Sequence, residues 1–176
     1  MKSTKKFARN SKKAFTLVEL VVVIAVLAIL AAIAIPTVIG IINSATKSRV
    51  DTDAASIDSA VKNFHTGIVN GVIYQENLPS SVTTVGTFPA KNSGNGARSS
   101  YANTQATVQQ AMQYAGIWDR LSSSLTGGDF GYADGSVVAA VDGDGNTLTA
   151  TANGALITRM NGAAASSTTI GQIVAH

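Results

Sequence analysis

The sequence contains no cysteine. Disulfide staples and thiolate chemistry are therefore excluded, and the fold must stand without bridges. Histidine occurs only at His65 and His176, which leaves a histidine-based metal centre unsupported; His65 adjoins an apolar helical stripe, where a boundary residue is expected rather than a ligand. No acid occurs among residues 1–14, although Lys2, Lys5, Lys6, Arg9, Lys12 and Lys13 are there. The whole chain has 13 Lys and Arg against 10 Asp and Glu, a net charge of +3; without those six cations, seven face ten acids and the remainder is −3. The basic pI thus belongs to the leader, and no specific nucleic-acid partner is indicated. Also missing are a phosphate-cradling glycine loop, a convincing Ser/His/Asp spacing and a paired-carboxylate site. The sequence is therefore read as a non-enzyme with no cofactor and no metal.

What is present is the stretch Phe15 to Ile42, FTLVELVVVIAVLAILAAIAIPTVIGII. From Leu20 to Ile35 every residue is Leu, Val, Ile or Ala. As a helix, Phe15 to Ile35 spans about 31 Å, close to the thickness of a bilayer's hydrocarbon core. Apolar residues on all faces exclude a surface helix of an ordinary soluble domain. Such a helix needs lipid, or copies of itself, on every side. Glu19 is the anomaly: a carboxylate in this setting is expensive and marks a functional position, unless it stays hydrated at the membrane interface. Cations ahead of the apolar run hold that end in the cytoplasm and place the rest of the chain outside. An ordinary secretory signal would be cut after the run, near Ala31, Ala32 or Ala34. Here the run instead continues past Pro36 into a helical pattern.

The segment KKAFTLVEL followed by the apolar run resembles the N-terminus of type IV pilins and related pilin-like proteins, over about residues 9 to 55. The resemblance implies a basic leader, residues 1–14, removed by a prepilin peptidase between Ala14 and Phe15, and N-methylation of the new N-terminal Phe15. The family usually has Gly before the cut, where this chain has Ala14, another small residue. Glu19 falls at the fifth mature position, where the family has its glutamate, and Pro36 at the twenty-second, where a proline is common. For Glu19 the resemblance implies pairing with the Phe15 amine of an adjacent subunit. That would give register as well as energy, as a single polar residue does in a coiled-coil seam.

Pro36 removes a backbone N–H and clashes with the preceding turn, so a kink is expected there, with Gly40 adding backbone freedom one turn on. The family resemblance implies loosening of this region on packing; a fixed kink that only aims the helix is the other reading. After Ile42 the composition becomes polar, with a stripe at Val50, Ala54, Ile57, Val61, Phe64 and Ile68. The spacings of 4, 3, 4, 3 and 4 make one helical face, which predicts an amphipathic half-helix over 43–71 packed on a globular domain, with Asn70-Gly71 as its stop.

Residues 72–176 read as that domain. Leu78 to Ser100, with Pro79, Pro89 and many Gly, Ser and Asn, reads as a long loop. Gln105 to Leu121 has helical content on a Val108, Ala111, Met112, Ala115 and Trp118 face. Ser122 to Gly135 reads as loop. The segments 136–142, 146–152 and 154–160, separated by DGDGN and NG turns, predict an antiparallel β-meander over 136–160 whose apolar face covers the stripe. Ile170, Ile173 and Val174 suggest a short fourth strand. Asp142, Asp144 and Asn146 alternate as in a Ca²⁺ loop, but a glycine is missing at the sixth position and Asn153 replaces Glu at the twelfth, so a hairpin turn is the simpler reading. Arg98, Tyr101, Trp118 and Arg120 are candidates for a binding surface, with core or solvent positions as the simpler account.

The expected fold is α+β: a long N-terminal α-helix, apolar then amphipathic, packed on a small antiparallel sheet, as in type IV pilins. The expected function is that of a pilus subunit, a cell-surface fimbrium component with possible roles in adhesion, motility or DNA uptake. It would be membrane-inserted as a precursor, then assembled by the pilus machinery into a homo-oligomeric helical filament. The alternatives are a pseudopilin of a type II secretion or competence system, and a monomeric membrane-anchored surface binding domain.

Overall fold

The computed structural model describes residues 15–160 and 164–175. Residues 1–14, the expected leader with Ala14 of the expected cleavage site, lie outside them. The chain divides into two compact units, one ending at Ile41 and one running from Ile42. Helix α1, Leu17–Val69, contributes to both.

In the first unit α1 is apolar all round, and its residues from Leu17 to Ile41 are all exposed. This is one helix long and apolar enough to cross a membrane.

The second unit is α+β, with the rest of α1 packed on a small three-stranded antiparallel sheet. All six stripe residues, Val50, Ala54, Ile57, Val61, Phe64 and Ile68, are buried. Full burial of side chains such as Ile57 and Ile68 stabilises by about 1.5–3 kcal/mol each. After a 3-10 turn at Gln75–Asn77 come α2 (Asn95–Thr104), α3 (Val108–Tyr114) and α4 (Trp118–Gly127). Thr107 caps α3: its hydroxyl accepts from Gln110 N at 3.3 Å, and Gln110 Oε1 accepts from Thr107 N at 3.0 Å, a reciprocal capping box.

The sheet comprises β1 (Phe130–Ala133), β2 (Ser136–Ala139) and β3 (Thr158–Arg159), in the order β2-β1-β3. The β1–β2 hairpin turns at Asp134-Gly135, whose φ of 51° and 70° are those of a type I′ turn. Here the structure departs from the expected meander. Its first strand, β1, lies in the stretch read as loop. The expected strand at 146–152 is reduced to isolated bridges, Val141↔Thr147 and Ala150↔Leu156, around the two expected turns. Helix α2 begins inside the expected long loop, and the expected helical stretch is two helices, broken at Ala115–Ile117. The expected fourth strand is instead helical: α5 (Ala164–Ser167) is followed by α6 (Ile170–Val174).

The stripe is covered by more than the sheet. Phe64 packs against Phe88 and Tyr114, with ring centroids 6.2 and 5.3 Å apart. Residues of α2, α3, α4 and α6 complete the same core.

Candidate processing and assembly segment

Phe15 is 82 % exposed, ahead of the first turn of α1. Thr16 caps that turn. Its N–H and hydroxyl both donate to Glu19 Oε2, at 2.9 and 2.7 Å, and Glu19 N donates back to Thr16 Oγ1 at 3.3 Å. Glu19 therefore has an intrachain partner as well as a place on the exposed helix. The carboxylate satisfies donors that a helix start leaves orphaned, and its charge suits the positive end of the helix dipole. Thr16 was not singled out among the sequence candidates. The signature Thr-x-x-Glu ahead of an apolar run would have identified it.

Pro36 lies within α1. Lacking an N–H, it leaves the Ala32 carbonyl without its helical donor. Next to it, the Thr37 hydroxyl donates to the Ala34 carbonyl at 2.8 Å and to that of Ile33 at 3.3 Å. A Cβ at Gly40 would meet nothing within 4 Å.

In the second unit, two carboxylates of α1 hold the globular part. Asp53, only 8 % exposed, pairs with Arg120 Nη1 at 2.5 Å. Asp58 accepts from the Val137 backbone N–H and from Lys62 Nζ, each at 2.9 Å, and Lys62 also donates to Ser136 Oγ at 2.8 Å. At the other end of α1, Arg98 Nε donates to the Val69 carbonyl at 3.3 Å and Nη1 to that of Ser93 at 2.9 Å. A cation there satisfies an orphan carbonyl and the helix dipole together. Of the four residues considered for a binding surface, Arg98 and Arg120 thus serve α1. Tyr101 is buried, donating to Val85 O at 2.8 Å and accepting from Gln110 Nε2 at 3.2 Å; burial pushes its phenol above the usual tyrosine range. Trp118 is half-buried against the core. His65 shares a 2.9 Å hydrogen bond with Asn103 Oδ1.

The Asp142–Asn146 segment forms a turn. Asp142 Oδ1 accepts from Asp144 N and Asn146 N at 2.9 and 2.8 Å, and Oδ2 accepts from Asn146 Nδ2 at 3.0 Å. These bonds, led by the Asn146 side chain, hold the Asp142 carboxyl below the usual aspartate range. Asp144 Oδ1 accepts from Asn43 Nδ2. Both carboxylates are thus engaged within the turn and with α1. Among the described residues no group of three or more His, Asp or Glu is placed to hold a metal ion.

No curated protein and no solved structure matches the chain. Residues 9–35 do match the prokaryotic N-terminal methylation motif. This match takes in the end of the basic N-terminal stretch, Phe15, Glu19 and the apolar run as far as Ile35. The chain carries, in that motif, the signature of type IV prepilin-like proteins.

Proposed function

We propose that the chain is the precursor of a filament subunit of the type IV pilus class. A prepilin peptidase cuts between Ala14 and Phe15, and Phe15 is then N-methylated. The membrane holds the subunit through α1 until the assembly machinery packs it among its copies. The observation that carries this reading is the helix itself: from Leu17 to Ile41 every face is apolar and exposed, with one carboxylate, Glu19, at its start. Lipid covers such a surface first, and identical helices cover it afterwards. A carboxylate moving into that packing needs a cation, and the amine freed at Phe15 of an adjacent subunit supplies one. Pro36 and Gly40 mark where α1 loosens as subunits pack. The second unit then forms the filament exterior, on the outer side of the cytoplasmic membrane before assembly and on the cell surface afterwards.

A pseudopilin would share the whole N-terminal segment, and the length of the filament separates the two. Mass spectrometry of the mature protein tests the processing step. The expected result is a chain beginning with methylated Phe15; an intact Met1, or a cut beyond Ala31, overturns it. Electron microscopy of the cell surface then distinguishes long pili from short pseudopili.

A further inference from the structure

Trp118 is the only tryptophan in the chain. It stands at the start of α4, half-buried, and lines two concavities, of about 210 and 380 Å³. Gln109 and Ser122 line the smaller one; Ser81 and Asp119 line the larger. Other polar groups here are already engaged. Gln113 is bound through both side-chain atoms to Thr83, at 2.8 and 3.1 Å, and the Thr126 hydroxyl donates to the Ser122 carbonyl at 3.1 Å. By contrast, the side chains of Gln109, Ser122, Ser81 and Asp119 have no partner among the described residues.

We propose that Trp118 and the two concavities it lines form a binding site for a neutral saccharide of at least two rings. The indole offers a flat apolar plate with a polar edge, which matches the C–H face of a pyranose. Hydroxyl and amide groups lining the concavities match the hydroxyls around such a ring, and a carboxylate such as that of Asp119 can accept two of them at once. Among the described residues no cation lines either concavity, which disfavours an anionic ligand. A purely apolar ligand is disfavoured too, because covering four unpartnered polar groups costs about 1–3 kcal/mol for each one left unsatisfied. Trp118 lines both concavities, so a ligand that occupies both continues past a single ring. Asp119 also suits the positive end of α4, but that role involves neither Gln109 nor Ser122.

Because Trp118 is the sole tryptophan, its intrinsic fluorescence reports this site alone. The full-length chain, in a zwitterionic detergent without a sugar headgroup, is titrated with neutral hexasaccharides of α- and β-linked glucose, mannose and N-acetylglucosamine. At least one should produce a saturable change in emission. Gln109→Ala and Asp119→Asn should each weaken it about fivefold, the value of one hydrogen bond, with circular dichroism and melting unchanged. The proposal is overturned by the absence of a saturable change with every probe up to about 10 mM, a range that captures weak sites. It is equally overturned by titrations identical in both variants. Emission that instead follows protein concentration without saccharide would overturn the proposal and assign the Trp118 surface to contact between copies.

Discussion

Gly143 lies directly against the backbone of Asn43. A Cβ built on Gly143 would stand 2.0 Å from the Asn43 carbonyl oxygen. The side chain of the next residue, Asp144, meets the Asn43 amide, so the Asp142–Asn146 turn seats on α1 just inside the second unit. Gly143→Ala should force the turn off the helix and destabilise the second unit by about 1–3 kcal/mol, as overpacking does. Urea denaturation reads the loss. Hydrogen exchange should show faster amides in α1 between Asn43 and Val50, with Ile57 to Ile68 still protected.

Asp58 joins α1 to β2 through the Val137 N–H. Asp58→Ala leaves that donor without its carboxylate and removes the Lys62 pair, at a cost of about 1–3 kcal/mol. Ser136→Ala removes only a second partner of a half-exposed lysine and should cost about 0.5 kcal/mol. Equal losses in the two variants would show that the Val137 bond contributes nothing.

The Asp142 turn should depend on pH. Its carboxyl is held low by the bonds to Asn146, with the Asp144 and Gly145 N–H groups adding to them. A carboxylate with a depressed folded-state pKa contributes stability that is present above its unfolded pKa and lost as pH falls through the folded value. The turn should therefore loosen on acidification below the usual aspartate range, read as a change in the Asn146 backbone amide resonance. Asp142→Asn should abolish this titration. If the resonance still moves in that variant, another group is responsible.

Glu19 caps the first turn of α1 with Thr16, and a pair of variants can separate that role from the proposed pairing with an amine. Glu19→Gln keeps an acceptor for Thr16 and hence the capping box, but removes the charge needed to pair with an amine. Glu19→Ala removes both. On the filament reading, both variants insert in the membrane and neither assembles, while only Glu19→Ala frays the first turn of α1. Filaments of normal yield from Glu19→Gln would show that the charge is dispensable.

The stripe from Val50 to Ile68 was legible because a helical period survives any choice of packing partner. The Asp134-Gly135 hairpin turn and β1 before it both fall in the stretch that reads as loop. Phe130–Ala133 is four residues long, with Gly131 in the middle, and reads as loop. Gly131 is required because Ile157 and the Thr158 backbone crowd it: a Cβ there would lie 2.6 Å from Ile157 Cγ2 and 2.7 Å from the Thr158 carbonyl oxygen. Likewise α2 opens on Asn95 and Gly96, weak helix formers, and is held by packing its Tyr101 and Ala102 into the core. Ile170, Ile173 and Val174 suit a strand by composition, yet they fold as a helix whose Gly171 approaches the Asn103 backbone closely.

By itself the sequence determined the segment in which the function is proposed to lie. A long apolar run, a basic N-terminal stretch without acids, and Glu19 four residues after Phe15 are properties of chemistry and spacing along one chain, and they need no fold to be read. Only the tertiary structure decided which strands pair, which carboxylates of α1 hold the globular part, and that Thr16 is the intrachain partner of Glu19. It also decided that Arg98 and Arg120 serve the helix while Trp118 lines two hollows. Those outcomes depend on contacts between residues far apart in sequence, where close approach and hydrogen-bond partners override local propensity.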